Sequence, residues 1–241
     1  MRRFLQQHRR SDQLILRAPK LTDEQLKEYA AESGHFQNVH KWVFCARVSA
    51  EHLEAYVYPN LSTHTPTLRL IDLSHNLIKG MLSQACSLCR RNLQEYSFLA
   101  ELCPREGGLA APTGSVLCPI HRLTESLQIT TNTTIEVLKL RDNPIGGVGC
   151  LQLFIEFAQA TETQIAVIDM TNCHIDDRVA IPLNGLLRKI PSNRKFLLKM
   201  NGNRMGFEGS LAISRKLPGN ISLTLSKNRP RCRRKRTISA S

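Results

Sequence analysis

Along much of the chain, apolar residues recur at every second position over a short stretch, stop at a polar turn, and resume at intervals of three and four. The pattern is clearest in LRLIDLSHNLI, with Ile71 and Leu73 before Asn76, and in IEVLKLRDNPI, with Leu138 and Leu140 before Asn143. It recurs in IAVIDMTNCHI (Ile168, Met170, Cys173), FLLKMNGNRM (Leu198, Met200, Asn203) and ISLTLSKN (Leu223, Leu225, Asn228). Alternation predicts a short strand with one face buried. The wider spacing that follows predicts helices, as in Val148, Leu151, Phe154, Ile155 and Phe157, or Val179, Ile181, Leu183, Leu186 and Leu187. Upstream, Thr22-Asp23-Glu24-Gln25 has capping-box spacing and predicts a helix ending near Gly34.

Two weaker versions extend the series backwards: WVFCARV, with Val43 and Cys45 taken as the core positions, and QLILRAP, with Leu14 and Leu16. The first apolar positions then recur at intervals of about 25 to 30 residues, apart from one long gap between Ile71 and Leu138. An Asn or Cys at each turn supplies a buried hydrogen-bonding group to loop amides that would otherwise be unpaired. Pro19 and Val48 stand where the first two units would need such a group, so those units are expected to be irregular capping structure.

A strand, a polar turn and a helix in about 29 residues is the repeat length of leucine-rich repeats, and the chain resembles the long-repeat, ribonuclease-inhibitor-like class of that family. The resemblance implies an α/β solenoid: a curved parallel sheet on the concave side, helices outside, and a protein partner against the sheet. The domain reading is a basic extension over 1–13, the repeat domain over 14–228, and a basic disordered tail over 229–241. Residues that alternate with the core positions are the candidate partner contacts: Trp42, Phe44, Asp72, Lys139, Arg141, Asp169, Lys199 and Asn201.

The long gap reads as one repeat plus an insertion at about 86–121, in preference to two repeats of which one has lost its strand. Bracketing the extra residues are Cys86-x-x-Cys89 and Cys118-x-x-His121, with a GGLAAPTGS loop between them. The two pairs offer four ligands at spacings that grip one tetrahedral ion, which makes structural zinc the expected cofactor. The alternative is that Cys86 and Cys89 share a buried helix face without metal; Cys103, between the pairs, is a possible substitute ligand.

Charge changes this picture only at the ends. The net charge is +13, from 33 Lys and Arg against 20 Asp and Glu. Much of the excess lies in residues 1–10 and in the tail, where Arg231, Arg233, Arg234, Lys235 and Arg236 cluster, leaving the body nearly neutral. The basic ends suit an acidic surface such as RNA or a cytoskeletal polymer. The aromatic content of 5% asks for a core of Leu, Ile and Val. No apolar run is long enough to span a bilayer. The eight cysteines, without a secretory leader, suggest an intracellular setting, cytoplasmic or cytoskeletal, with mitochondrial or nuclear as alternatives. No nucleophile motif appears, and Gly146-Gly147-Val148-Gly149 lacks the Lys-Ser/Thr of a phosphate loop, so that cluster reads as a helix-opening turn. The expectation is a non-catalytic protein-binding scaffold, with an RNA-associated component of a ribonucleoprotein assembly as the alternative.

Overall fold

Each alternating phrase forms a strand of three to five residues, and a polar turn sends the chain back across the core. In the computed structural model, residues 12–229 are described except 19, 37, 65, 84 and 103–117. The tail cluster from Arg231 to Arg236, the first ten residues, Cys103 and the loop around 107–115 therefore lie outside the described residues. The strands are β1 (Gln13–Arg17), β2 (Lys41–Cys45), β3 (Leu70–Asp72), β4 (Val137–Lys139), β5 (Val167–Asp169), β6 (Phe196–Lys199) and β7 (Ile221–Thr224). They form one parallel sheet whose spatial order is their order in the chain.

The register is uniform. Leu14, Trp42, Ile71, Leu138, Ile168 and Leu198 lie side by side across six strands, and all are fully buried. The row beside it, Ile15, Val43, Asp72, Lys139, Asp169, Lys199 and Thr224, faces the other way. This corrects the expectation for β2: Trp42 and Phe44 are not on the open face but in the core row, paired with Leu14 and Leu16. A one-residue slip exchanges the two faces of a strand. The run Trp42 to Ala46 is apolar throughout, so alternation could not set its phase. Packing set it instead: Trp42 meets the Tyr29 ring edge-on and lies 5.2 Å from the His64 ring.

The turns repeat as closely as the strands. Arg47, His75, Asp142, Asn172, Gly202 and Lys227 all adopt positive φ, between 52° and 66°. The residue after this bend is Val48 in the first of these turns and Asn76, Asn143, Cys173, Asn203 or Asn228 in the others. Asn76 Oδ1 accepts from the amides of Ala46 and Val48, and its Nδ2 donates to the carbonyls of Phe44 and Leu73. Asn203 does the same one end along, accepting from Cys173 and Ile175 and donating to Met170 and Met200. Each such side chain ties its own turn to the preceding one, which is why Val48 can occupy its turn without a polar group.

Helices form the second layer: α1 (Asp23–Ser33), α2 (Ala50–Tyr56), α3 (Tyr58–His64), α4 (Ser87–Glu95), α5 (Phe98–Leu102), α6 (Pro119–Ser126), α7 (Gly146–Gln159), α8 (Ala180–Leu187) and α9 (Phe207–Ser214). Thr22 and Gln25 make both bonds of the capping box at the start of α1. The helices α6, α7, α8 and α9 touch one another in chain order, and a single apolar cluster fills the space between the layers. In α8 the buried side is Ala180, Leu183, Leu186 and Leu187, whereas Ile181, expected in the core, is 77% exposed because it projects about 100° away from Ala180.

β3 pairs directly with β4, so the long connection between them adds no strand among its described residues; it carries α4, α5 and α6. Where it leaves the sheet, Gly80 donates to the Ile145 carbonyl and lies against Gly149 of α7 so closely that a Cβ on Gly80 would fall 2.1 Å from the Gly149 nitrogen. Side chains at either glycine would separate the two segments.

Candidate functional site

Two features carry candidate chemistry: a buried Cys/His cluster within the long connection and a charged groove on the open strand face.

The cluster is assembled by two helix starts. Cys86 is the N-cap of α4, its sulfur accepting from the Cys89 amide one turn on, so both thiols turn to the same side. Cys118 precedes α6, where Pro119 opens the helix and His121 follows three residues after the cysteine. All four residues are buried. Their ligand atoms lie within 4.8 Å of one another. The His121 Nδ1 is 3.2 Å from Cys86 Sγ, 3.6 Å from Cys89 Sγ and 3.1 Å from Cys118 Sγ, and the Cys89 and Cys118 sulfurs are 3.6 Å apart. Around an ion with bonds of about 2.3 Å to sulfur and about 2.0 Å to nitrogen, tetrahedral edges are about 3.8 Å between sulfurs and about 3.5 Å between sulfur and nitrogen. Those four separations are close to these edges and no two of the ligand atoms are more than 4.8 Å apart, so the group could hold a metal ion.

Shared protons tie the cluster together. Hydrogen bonds with Cys118 pull the Cys86 thiol down to about 3 and the Cys89 thiol to about 6, while the same bonds, with burial, push Cys118 well above the ordinary thiol range. Burial works against a charged His121, but hydrogen bonds with the Cys89 and Cys86 sulfurs outweigh it and raise its pKa. Thiolates are the form that ligates metal. The other described cysteines behave differently: burial pushes Cys45 up to about 12, and Cys150 and Cys173 are likewise raised. Cys150 and Cys173 belong to the core, while Cys45 lies beside Asp72 on the groove lining.

The groove has a volume of about 680 Å³ and brings together Asp72, Lys139, Arg141, Asp169 and Lys199, five of the residues expected on the open face. Asn201 is not among its lining residues; its side-chain oxygen accepts from the Ser226 amide and braces a turn. Trp42 and Phe44 are absent for the reason given above. The sequence reading passed over Arg17, Arg47 and His75, which also line the groove. Arg17 ends β1 and Arg47 sits at the left-handed bend after β2; the irregularity of those two units hid their place on the face. The lining carries five Lys or Arg against two Asp. Both carboxylates are engaged locally: Asp72 accepts from the Ser74 amide, and Asp169 from the amide and hydroxyl of Thr171. The groove therefore presents positive charge.

No protein-family model matches the chain, and no curated protein matches it. Among the described residues, no helix is long and apolar enough to cross a membrane.

Proposed function

We propose that this chain is a leucine-rich-repeat-type scaffold that binds an acidic protein partner along its strand face and is not an enzyme. The reading rests on one observation above the rest: charged side chains from successive, uniformly registered strands converge on one groove that the core does not use. The ladder of turn asparagines, tying each unit to the one before, supports the solenoid reading.

The ion held by the Cys/His cluster is, on this reading, zinc. The donor set is three sulfurs and one nitrogen gathered within 4.8 Å of one another, and such a set suits zinc among the common cellular metals. Four protein ligands leave no position for water, so the ion's chemistry is to fix the long connection and to activate nothing.

To test the partner reading, a photo-cross-linking residue is placed at Lys139 or Lys199 on the strand face and, in a control chain, at Arg188 beyond α8. Protein adducts obtained from the strand-face positions and not from the control are the expected result. Equal labelling from both sides would contradict it. The positive groove also favours an RNA-associated reading, which predicts RNA adducts from the same positions and binding that falls steeply with salt.

A further inference from the structure

The metal cluster has neighbours that belong to the sheet body and not to the long connection. Gln152 is fully buried near the middle of α7, among Cys150, Leu151, Leu153, Phe154 and Ile155. A buried amide in such a setting needs partners, because burying it unpaired is unfavourable by several kcal/mol. Its Nε2 lies 3.3 Å from Cys89 Sγ, 3.3 Å from Cys118 Sγ and 2.8 Å from the Met81 carbonyl oxygen. One amide group thus reaches a sulfur of each pair.

One helical turn further on, Glu156 is also buried. Its Oε1 stands 3.8 Å from His121 Nε2, 3.4 Å from Asn92 Nδ2 and 3.4 Å from an Arg91 guanidinium nitrogen. With His121 Nδ1 turned to the sulfurs, Nε2 is the nitrogen that carries a proton in the ligating tautomer. The polar atom nearest Nε2 is the Asn92 amide at 3.3 Å, and the Glu156 carboxylate, which accepts from that amide, backs the ring at ion-pair distance, where its charge favours a proton on Nε2 and a ligating Nδ1.

From this geometry we infer that Gln152 and Glu156 are positioning residues for the metal: α7 donates an N–H to the two thiolates and backs the imidazole, so that ion binding clamps the long connection onto the sheet body. The inference rests on the zinc reading above. An ion with three thiolates and one neutral imidazole carries a net charge of −1, and an N–H aimed at two of the sulfurs stabilises that charge in a buried site. The spacing of four residues places both groups on one face of α7. Neither residue touches the ion, and each acts through a ligand.

The test is made on the full chain with cobalt(II) as the probe. Cobalt reports on its ligands through visible bands and through the sulfur-to-cobalt charge-transfer band, and competition with a chelator gives the dissociation constant. Gln152→Met keeps the length of the side chain and removes the donor. It is expected to move the charge-transfer band to lower energy and to weaken cobalt binding about 10- to 100-fold, the range typical of lost outer partners. Glu156→Gln, which keeps the shape and removes the charge, is expected to weaken binding to a smaller degree without moving the sulfur band. Leu153→Ala, a core truncation in the same helix, is expected to lower the melting temperature and leave the band in place.

A wild-type chain that binds one equivalent of cobalt while both α7 variants match it in band and affinity would overturn the inference and leave the metal reading intact. A Leu153→Ala band shift as large as that of Gln152→Met would also overturn it, since general loosening would then suffice. A wild-type chain that takes up no cobalt or zinc would remove the metal reading itself, and this inference with it.

Discussion

Asn203 shows what a single polar side chain does in this fold. It is buried, accepts from two amides of the preceding turn, and donates to two carbonyls, one in each turn. Truncation strands those groups inside, and an unpaired buried group costs about 1 to 3 kcal/mol. Asn203→Ala is expected to destabilise the chain by about 2 to 4 kcal/mol, allowing for partial relaxation. Asn228→Ala, in the last turn and only half-buried, should cost less; the ordering is checked by urea denaturation of the two variants. These asparagines were legible in the sequence because the turn demands a polar group at a fixed place after two alternating apolar residues. Trp42 and Ile181 were not. Trp42 sits in an unbroken apolar run where either phase satisfies the pattern, and Ile181 lies among four apolar neighbours that already fill the inner side of its helix.

At the scale of elements, the long connection is where sequence and structure inform each other most. Four ligand-type residues at paired spacing marked it, and the structure brings all four within 4.8 Å. Gln152 and Glu156 gave no signal of their own, since a polar residue in a helix normally reads as a solvated position; only the packing of α7 against α6 turns them inward. Metal retention should depend on pH in a definite direction. Cys86 and Cys89 hold their protons less tightly than an ordinary thiol, so the stabilisation from their thiolate forms is present at higher pH and is lost as pH falls through about 6 toward about 3. Zinc should accordingly be retained at neutral pH and released progressively as the solution is acidified from there, which a colorimetric zinc indicator would follow. Release that is flat over that range would count against thiolate ligation. Limited proteolysis of the same samples should then show new cleavage within 86–126 before any in β5 to β7.

For the molecule as a whole, spacing gave the recurring strand, turn and helix, while the resemblance to leucine-rich repeats implied the parallel sheet that the strands form in chain order. The positive groove was not readable from net charge. Composition placed the excess at the two ends, while the register gathers Arg17, Arg47, Lys139, Arg141 and Lys199 from four different units onto one surface. The strand face and the Cys/His cluster of the long connection are separable parts, and the cluster is the part with the most specific geometry behind it. The most direct measurement is the metal content of the purified, reduced chain by elemental analysis, beside Cys86→Ser and Cys118→Ser variants. About one zinc per chain, lost in both variants, is the predicted result. A metal-free wild-type chain that remains so after exposure to zinc would contradict the account.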